Sequence, residues 1–339
     1  MTILKNRLFW PAAILLALLI VNVFTSNQFM TLQDGHLFGT LIDILRGSAP
    51  LILVSLGMTL VISTGGIDLS VGSVMAISGA VACLLIKDLG NQNAVGSVLL
   101  IMAVAIAVSA ALGLWNGALV AVVGIQPIIA TLILMVAGRG LAQLVTGGQI
   151  INVQSSPYAT IATGFFLTLP VAFLIAMAAV ALITVLTRRT ALGLLLESVG
   201  GSPSASRLAG IRARRITIMV YVVSGAFAGL AGLIYSANIK SADSIYAGNL
   251  IELDAILAVV IGGTALIGGR FSILGTVLGA VLIQTLQVTV VGIGVPSKAT
   301  MLFKAVVVVV LCLSQSPIFR EKVFGRFKPR PAVRAEVPA

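Results

Sequence analysis

Long apolar runs divide this sequence, and they leave its backbone few choices. In hydrocarbon every N–H and C=O must find a partner within the protein, which only helices and closed barrels achieve. The runs occupy 8–24, 50–64, 71–86, 95–123, 127–145, 165–186, 216–236, 255–267, 273–291 and 299–313. A spanning helix needs about 20 predominantly apolar residues, and the runs 71–86, 255–267 and 299–313 fall a little short. A barrel would instead alternate over segments of about ten residues. Only 9% of the residues are charged and 59% are hydrophobic, whereas soluble domains carry about 25% charge. The sequence predicts an all-α polytopic membrane protein with about ten transmembrane helices, some of them broken, in a single domain over 1–339.

Charge placement predicts the orientation. Lys5 and Arg7 precede the first run, and no small-x-small cleavage site follows it, so it reads as an uncleaved span. The polar stretch 25–47 holds Asp34, His36, Asp43 and Arg46; its middle, 37–45, is partly apolar and reads as lying along the membrane surface. The one large polar insertion, 187–215, sets Arg188, Arg189, Arg207, Arg212, Arg214 and Arg215 against Glu197. A basic tail, 316–339, closes the chain. Six runs before the insertion and four after it put the N-terminus, the insertion and the tail on one side, which the positive-inside rule makes the cytoplasm. The uncharged connection 146–164 and the acidic 238–254 then lie outside. The net charge of +11 is concentrated in these segments, which speaks for topology and against a nucleic-acid partner.

Enzyme chemistry finds no residues to carry it. His36 is the sole histidine, no intramembrane carboxylates pair, and Gly292-Ile293-Gly294-Val295-Pro296-Ser297-Lys298 lacks the glycine before lysine that a phosphate loop needs. Cys83 and Cys312 sit inside apolar runs, as small hydrophobes do. The sequence therefore predicts no catalytic residues, no metal and no cofactor bound by this chain, and a transport pathway as its role.

Within that pathway one stretch stands out, Thr64-Gly65-Gly66-Ile67-Asp68-Leu69-Ser70-Val71-Gly72-Ser73, between two apolar runs. A charge at bilayer depth costs about 2.5–3.5 kcal/mol on insertion scales and faces protein or water. The stretch reads as a helix break toward the cytoplasmic half, where Gly65 and Gly66 let helices approach closely. Asp68 has three readings: it faces the pathway, it caps the helix that starts near Ser70, or it pairs with an arginine such as Arg139. As the one carboxylate well inside the apolar region, it also permits a stand-alone proton-coupled carrier. Asn116 either bonds helix to helix or lines the pathway. Gln126 and Thr131, flanking Pro127, either face the cargo or belong to a helix start, for which proline is suited. Only 6% of residues are aromatic, which predicts a low-affinity passage fed by a separate binding protein. Lys240, Glu252 and Asp254 on the outer loop are candidate contacts for it.

The insertion itself has structure. Ser202 can cap a short helix, Pro203 fits its first turn, and Gly210 can stop it. Such a helix either docks into a partner's groove or is a solvated basic loop.

Gly65-Gly66-Ile67-Asp68-Leu69-Ser70-Val71-Gly72 resembles the signature of the bacterial ribose/galactose-type permeases of ATP-binding-cassette sugar importers. Leu114-Trp115-Asn116-Gly117, Ile125-Gln126-Pro127-Ile128-Ile129-Ala130-Thr131-Leu132, Gly138-Arg139-Gly140, and Gly262-Gly263 with Gly268-Gly269-Arg270-Phe271 resemble further segments, from about residue 30 to 315. Leu32-Gln33-Asp34-Gly35-His36 and Glu252-Leu253-Asp254-Ala255-Ile256 are similar to the galactofuranose branch of that family. The resemblance implies uptake of a monosaccharide across the inner membrane by alternating access. It also implies three partners: a second permease subunit, a cytoplasmic ATPase that hydrolyses ATP, and a periplasmic sugar-binding protein. Docking to the ATPase would fall on Glu197, Gly200, Gly201, Ser202, Ser204, Ala205, Arg207 and Gly210. Many relatives carry a carboxylate where this chain has Ser204.

Overall fold

The computed structural model describes residues 8–26, 28–33, 36–295 and the isolated positions 299, 302, 305, 306 and 309. Helix α1 (Phe9–Thr25) is followed by a hairpin of β1 (Thr31–Gln33) and β2 (His36–Phe38). Then come α2 (Thr40–Ser63), α3 (Val71–Lys87) and α4 (Val95–Ala118), which ends in a π-helical turn, Leu119–Val123. Helix α5 (Pro127–Thr146) leads to β3 (Ile151–Asn152), α6 (Ser156–Thr163) and a hairpin of β4 (Phe165–Phe166) and β5 (Leu169–Pro170). Helix α7 (Val171–Arg189) precedes two short helices, α8 (Leu192–Gly201) and α9 (Pro203–Leu208). The described chain closes with α10 (Ala213–Ile239), β6 (Ser241–Ala242), α11 (Ile251–Ile261) and α12 (Ile273–Gly292).

Six helices, α2, α4 with its π turn, α5, α7, α10 and α12, are long and apolar enough to cross a membrane. The chain is thus a multi-pass, predominantly helical membrane protein. Helices α1 and α3 have 17 residues each and α11 has 11. The run 299–313 lies largely, and the tail 316–339 wholly, outside the described residues.

Several boundaries differ from the sequence reading. Segment 37–45 is not an element of its own: it runs from β2 into α2, which starts at Thr40 and carries Pro50 in its interior. Proline is tolerated there because neighbouring groups can satisfy the freed backbone in a membrane helix. The run at 165–186 opens with a hairpin, and α7 starts only at Val171. Helix α11 starts at Ile251, so Glu252 and Asp254 belong to its first turn and not to a loop.

Helices α2 and α10 form the centre. Helix α10 packs on α2, α3, α4 and α6, and α2 also meets α7, α11 and α12. In lipid no hydrophobic drive holds helices together, so small residues that allow close approach matter most. A Cβ on Gly225 of α10 would stand 2.4 Å from the Ser109 carbonyl of α4, and one on Gly232 would stand 2.2 Å from that of Met75 in α3. Helices α11 and α12 meet the same way, with Gly275 2.0 Å from the Gly262 carbonyl by the same measure.

The helices connect two ends. At one, β3 pairs with β6, the Gln154 and Ser156 N–H groups donate to the side chains of Gln92 and Asn93, and His36 and Phe38 pack on Phe165. At the other lie residues 64–70, the π turn, α8, α9 and the 262–272 turn.

Gly225→Ala should therefore destabilise the protein by about 1–3 kcal/mol, the usual cost of overpacking. Thermal unfolding in detergent would register it, while Gly96→Ala, where a Cβ meets nothing within 4 Å, should leave the curve unchanged.

Candidate functional site

The break between α2 and α3 begins with a tight turn. Gly65 takes φ +81°, a left-handed conformation that favours glycine, and its N–H bonds to the Ile62 carbonyl at 2.9 Å. Gly66 lies under the Tyr221 ring hydroxyl, 2.7 Å from where a Cβ would sit. Asp68 follows, only 1% exposed. Its Oδ1 accepts from the Ser70 N–H at 3.1 Å and the Ser70 hydroxyl at 2.6 Å, and its Oδ2 accepts from the Ser224 hydroxyl of α10 at 2.9 Å. Asn116 of α4 donates from Nδ2 to the Ser70 Oγ at 2.8 Å. The Ser73 hydroxyl reaches the Leu134 carbonyl of α5 at 3.1 Å, and that of Thr131 reaches the Ile67 carbonyl at 3.2 Å. The carboxylate thus ties the break to α10 directly and to α4 through Ser70, and the two hydroxyls tie it to α5. Burying a charge is costly unless hydrogen bonds compensate it, and bonds to a charged acceptor are the strong ones.

Of the readings open for Asp68, the geometry favours capping: it serves the start of α3 through Ser70. It does not pair with Arg139. That guanidinium donates to the carbonyls of Ala247 and Gly248 instead, the latter at 2.8 Å, and has Glu252 as its charged neighbour. Gly72 leaves room for this group: a Cβ there would stand 2.6 Å from Glu252 Oε2 and 3.3 Å from Arg139 Nη2. Glu252 is accordingly buried, 3% exposed, and offers no surface to a partner, which corrects its assignment as an outer contact. Lys240 is exposed at that end, and Asp254 is half-buried in the first turn of α11. Asn116 is buried in a bond from α4 to Ser70 at the start of α3, and Thr131 is buried in bonds to the Pro127 carbonyl of its own helix start and to the Ile67 carbonyl of the break. Gln126 is exposed before Pro127, which occupies the first turn of α5 as expected. Asp68 does not line the cavity of about 370 Å³ that opens beside the break.

The 187–215 segment reaches that break. The Ser202 hydroxyl accepts from the Ala205 N–H at 3.2 Å, Pro203 opens α9, and Gly210 turns the chain at φ +82°. Glu197, Gly201, Ser204, Ala205, Arg207 and Gly210 are exposed, Ser202 is partly buried, and Leu208 projects at 92% exposure. Gly200 differs from the rest. A Cβ on it would lie 1.8 Å from the Ser63 carbonyl and 2.5 Å from the Gly269 nitrogen. The Gly269 N–H itself donates to that carbonyl at 2.9 Å. A Cβ on Gly268 would stand 2.9 Å from the Gly65 nitrogen and 3.0 Å from the Gly200 carbonyl. Three backbone segments distant in sequence, the end of α2, the end of α8 and the 262–272 turn, thus meet at van der Waals distance. The glycine pairs 65–66, 200–201 and 268–269 were visible in the sequence, but not their convergence.

Residues 40–312 match the family described as branched-chain amino acid transport system / permease component. The chain belongs to this permease family. Its relatives include the galactofuranose transporter permease protein YtfT of Escherichia coli K12, 45% identical over 95% of this chain and 94% of that protein. The fructose import permease protein FruF of Bifidobacterium longum is 41% identical over 99% and 95%. The ribose import permease protein RbsC of Escherichia coli K12 is 36% identical over 89% and 91%. All three relatives are described as transporter or import permease proteins. No solved structure matches the chain.

In this permease Asp68→Ala should leave the Ser224 hydroxyl and the Ser70 N–H buried without their acceptor, at about 1–3 kcal/mol for each unpaired group. Unfolding in detergent should show a larger loss for Asp68→Ala than for Ser224→Ala, which removes only one of the three bonds.

Proposed function

We propose that the chain is a single permease domain forming part of the inner-membrane pathway of an ATP-driven monosaccharide importer, with about ten spans in all. Its N-terminus, the 187–215 segment and the basic tail face the cytoplasm by the positive-inside rule. A separate ATPase subunit hydrolyses the ATP and engages α8 and α9. A second permease completes the pathway, and a periplasmic sugar-binding protein delivers cargo at the end that carries Lys240. Galactofuranose or a related sugar is the substrate, a reading supported by near full-length similarity to a galactofuranose permease and to other sugar permeases.

The observation that carries this reading is the short capped helix α9. It presents Leu208 and Arg207 outward, while Gly200, just before it, rests on the last carbonyl of α2. A partner that moves α8 and α9 pushes directly on the break. The break's hydrogen-bonded frame then shifts as a unit between α4, α5 and α10, which is alternating access without chemistry on this chain. Asp68 is buried, is held by three hydrogen bonds from Ser70 and Ser224, and does not line the cavity, and this speaks against the proton-coupled carrier.

Two measurements test the proposal. Gly200→Ala should leave the basal ATPase rate of the assembled transporter within about twofold and lower ATP-driven sugar uptake about tenfold or more, as loss of roughly 1.4 kcal/mol of coupling would. Gly96→Ala in α4, where a Cβ meets nothing within 4 Å, should leave both rates unchanged. A strain lacking this chain should lose galactofuranose uptake. Undiminished uptake would overturn the substrate, and accumulation by the purified chain alone under a proton gradient would overturn the class.

A further inference from the structure

The cavity of about 370 Å³ lies between the break, the π turn, α9 and the first turns of α10. Arg207 of α9 and Arg214 of α10 both line it, and no carboxylate does. The Tyr221 hydroxyl stands in its wall, buried and without a hydrogen-bond partner among the described residues. Another part of the wall is apolar. Val122 and Val123 there, in the π turn that ends α4, are 59% and 66% exposed and could take up an acyl chain. Neutral sugars are commonly gripped by carboxylates and amides, and this wall offers neither. Two guanidinium groups without an acid suit a phosphate, whose oxygens accept the paired donors of an arginine fork. Basic pockets between membrane helices on the cytoplasmic side are known sites for anionic headgroups.

We propose that this cavity binds a phosphate group between Arg207 and Arg214, supplied by the headgroup of an anionic phospholipid. Its place at the cytoplasmic leaflet rests on the orientation proposed above, whereas binding itself does not. A soluble phosphate ester shares the chemistry but would leave the exposed valines without a partner. Occupancy joins α9 to α10 across the mouth of the break. A filled site therefore braces the segment that the ATPase engages, and the transporter's response to ATP then depends on lipid composition.

The test uses the purified full-length chain in neutral detergent, after exposure to mixed phosphatidylcholine and phosphatidylglycerol vesicles, with retained lipid counted by native mass spectrometry. The unmodified chain should retain phosphatidylglycerol in preference to phosphatidylcholine. Arg214→Gln should weaken that retention about tenfold, the loss of one charged hydrogen-bonding group. Arg189→Gln, outside the cavity, should not change it. Unfolding curves in phosphatidylcholine alone confirm that Arg214→Gln is folded, as an exposed position allows. In a second arm, glycerol phosphate is added without anionic lipid. If it raises the unfolding temperature of the unmodified chain but not that of Arg214→Gln, the phosphate site stands and its source is soluble. Equal retention by the unmodified chain and Arg214→Gln, or equal loss in Arg189→Gln, overturns the proposal. Because retention is read without the ATPase, a failed site is distinguishable from a failed coupling mechanism.

Discussion

The Asp68 carboxylate is the interaction on which the arrangement of this permease depends. A membrane helix that breaks must account for the backbone groups it frees, because lipid offers them nothing. Here the break is held by one side chain that takes three hydrogen bonds, two of them from Ser70 at the start of the next helix. Ser70 passes the connection to Asn116, and Ser224 passes it to the centre of α10. The result is a rigid frame around an otherwise weak point, and Thr131 and Ser73 extend it to α5.

Around that frame the packing is made by absence of side chains. Gly225 and Gly232 let α10 press on α4 and α3, while Gly262 and Gly275 join α11 to α12. Such contacts have no flexible side chain to absorb a displacement, so a movement at one backbone is felt at the next. The meeting of Ser63, Gly200 and Gly269 is the same device placed between the end of α8 and the break. The proposed coupling uses this series of contacts: the exposed α9, the tight backbone contact at Gly200, and the hydrogen-bonded block at Asp68.

Much of this was legible in the sequence because it is local. The break at 64–70, proline at the start of α5, and the Ser202, Pro203 and Gly210 signals of α9 all appear where the residues call for them. What failed was non-local or rested on a single residue. The apolar run reads from residue 50, but α2 starts at Thr40 and passes through Pro50. Glu252 read as a loop residue; it is buried with Arg139, more than a hundred positions earlier, as a charged neighbour. Of the three readings open for Asp68, pairing with Arg139 falls away for the same reason: the spacing of charges along a chain does not say which of them will meet. Ser224, one of many small polar residues in an apolar run, carried no signal of its own.

The most direct measurement is uptake of a panel of monosaccharides by cells carrying Asp68→Asn, normalised to the amount of assembled transporter. The substitution keeps the shape of the side chain and removes its charge. If Asp68 holds the break, the amount assembled or the common turnover rate falls while the ratios between sugars stay as they were. Full assembly with a changed order of sugar preference would contradict the account, because Asp68 would then be reading the cargo.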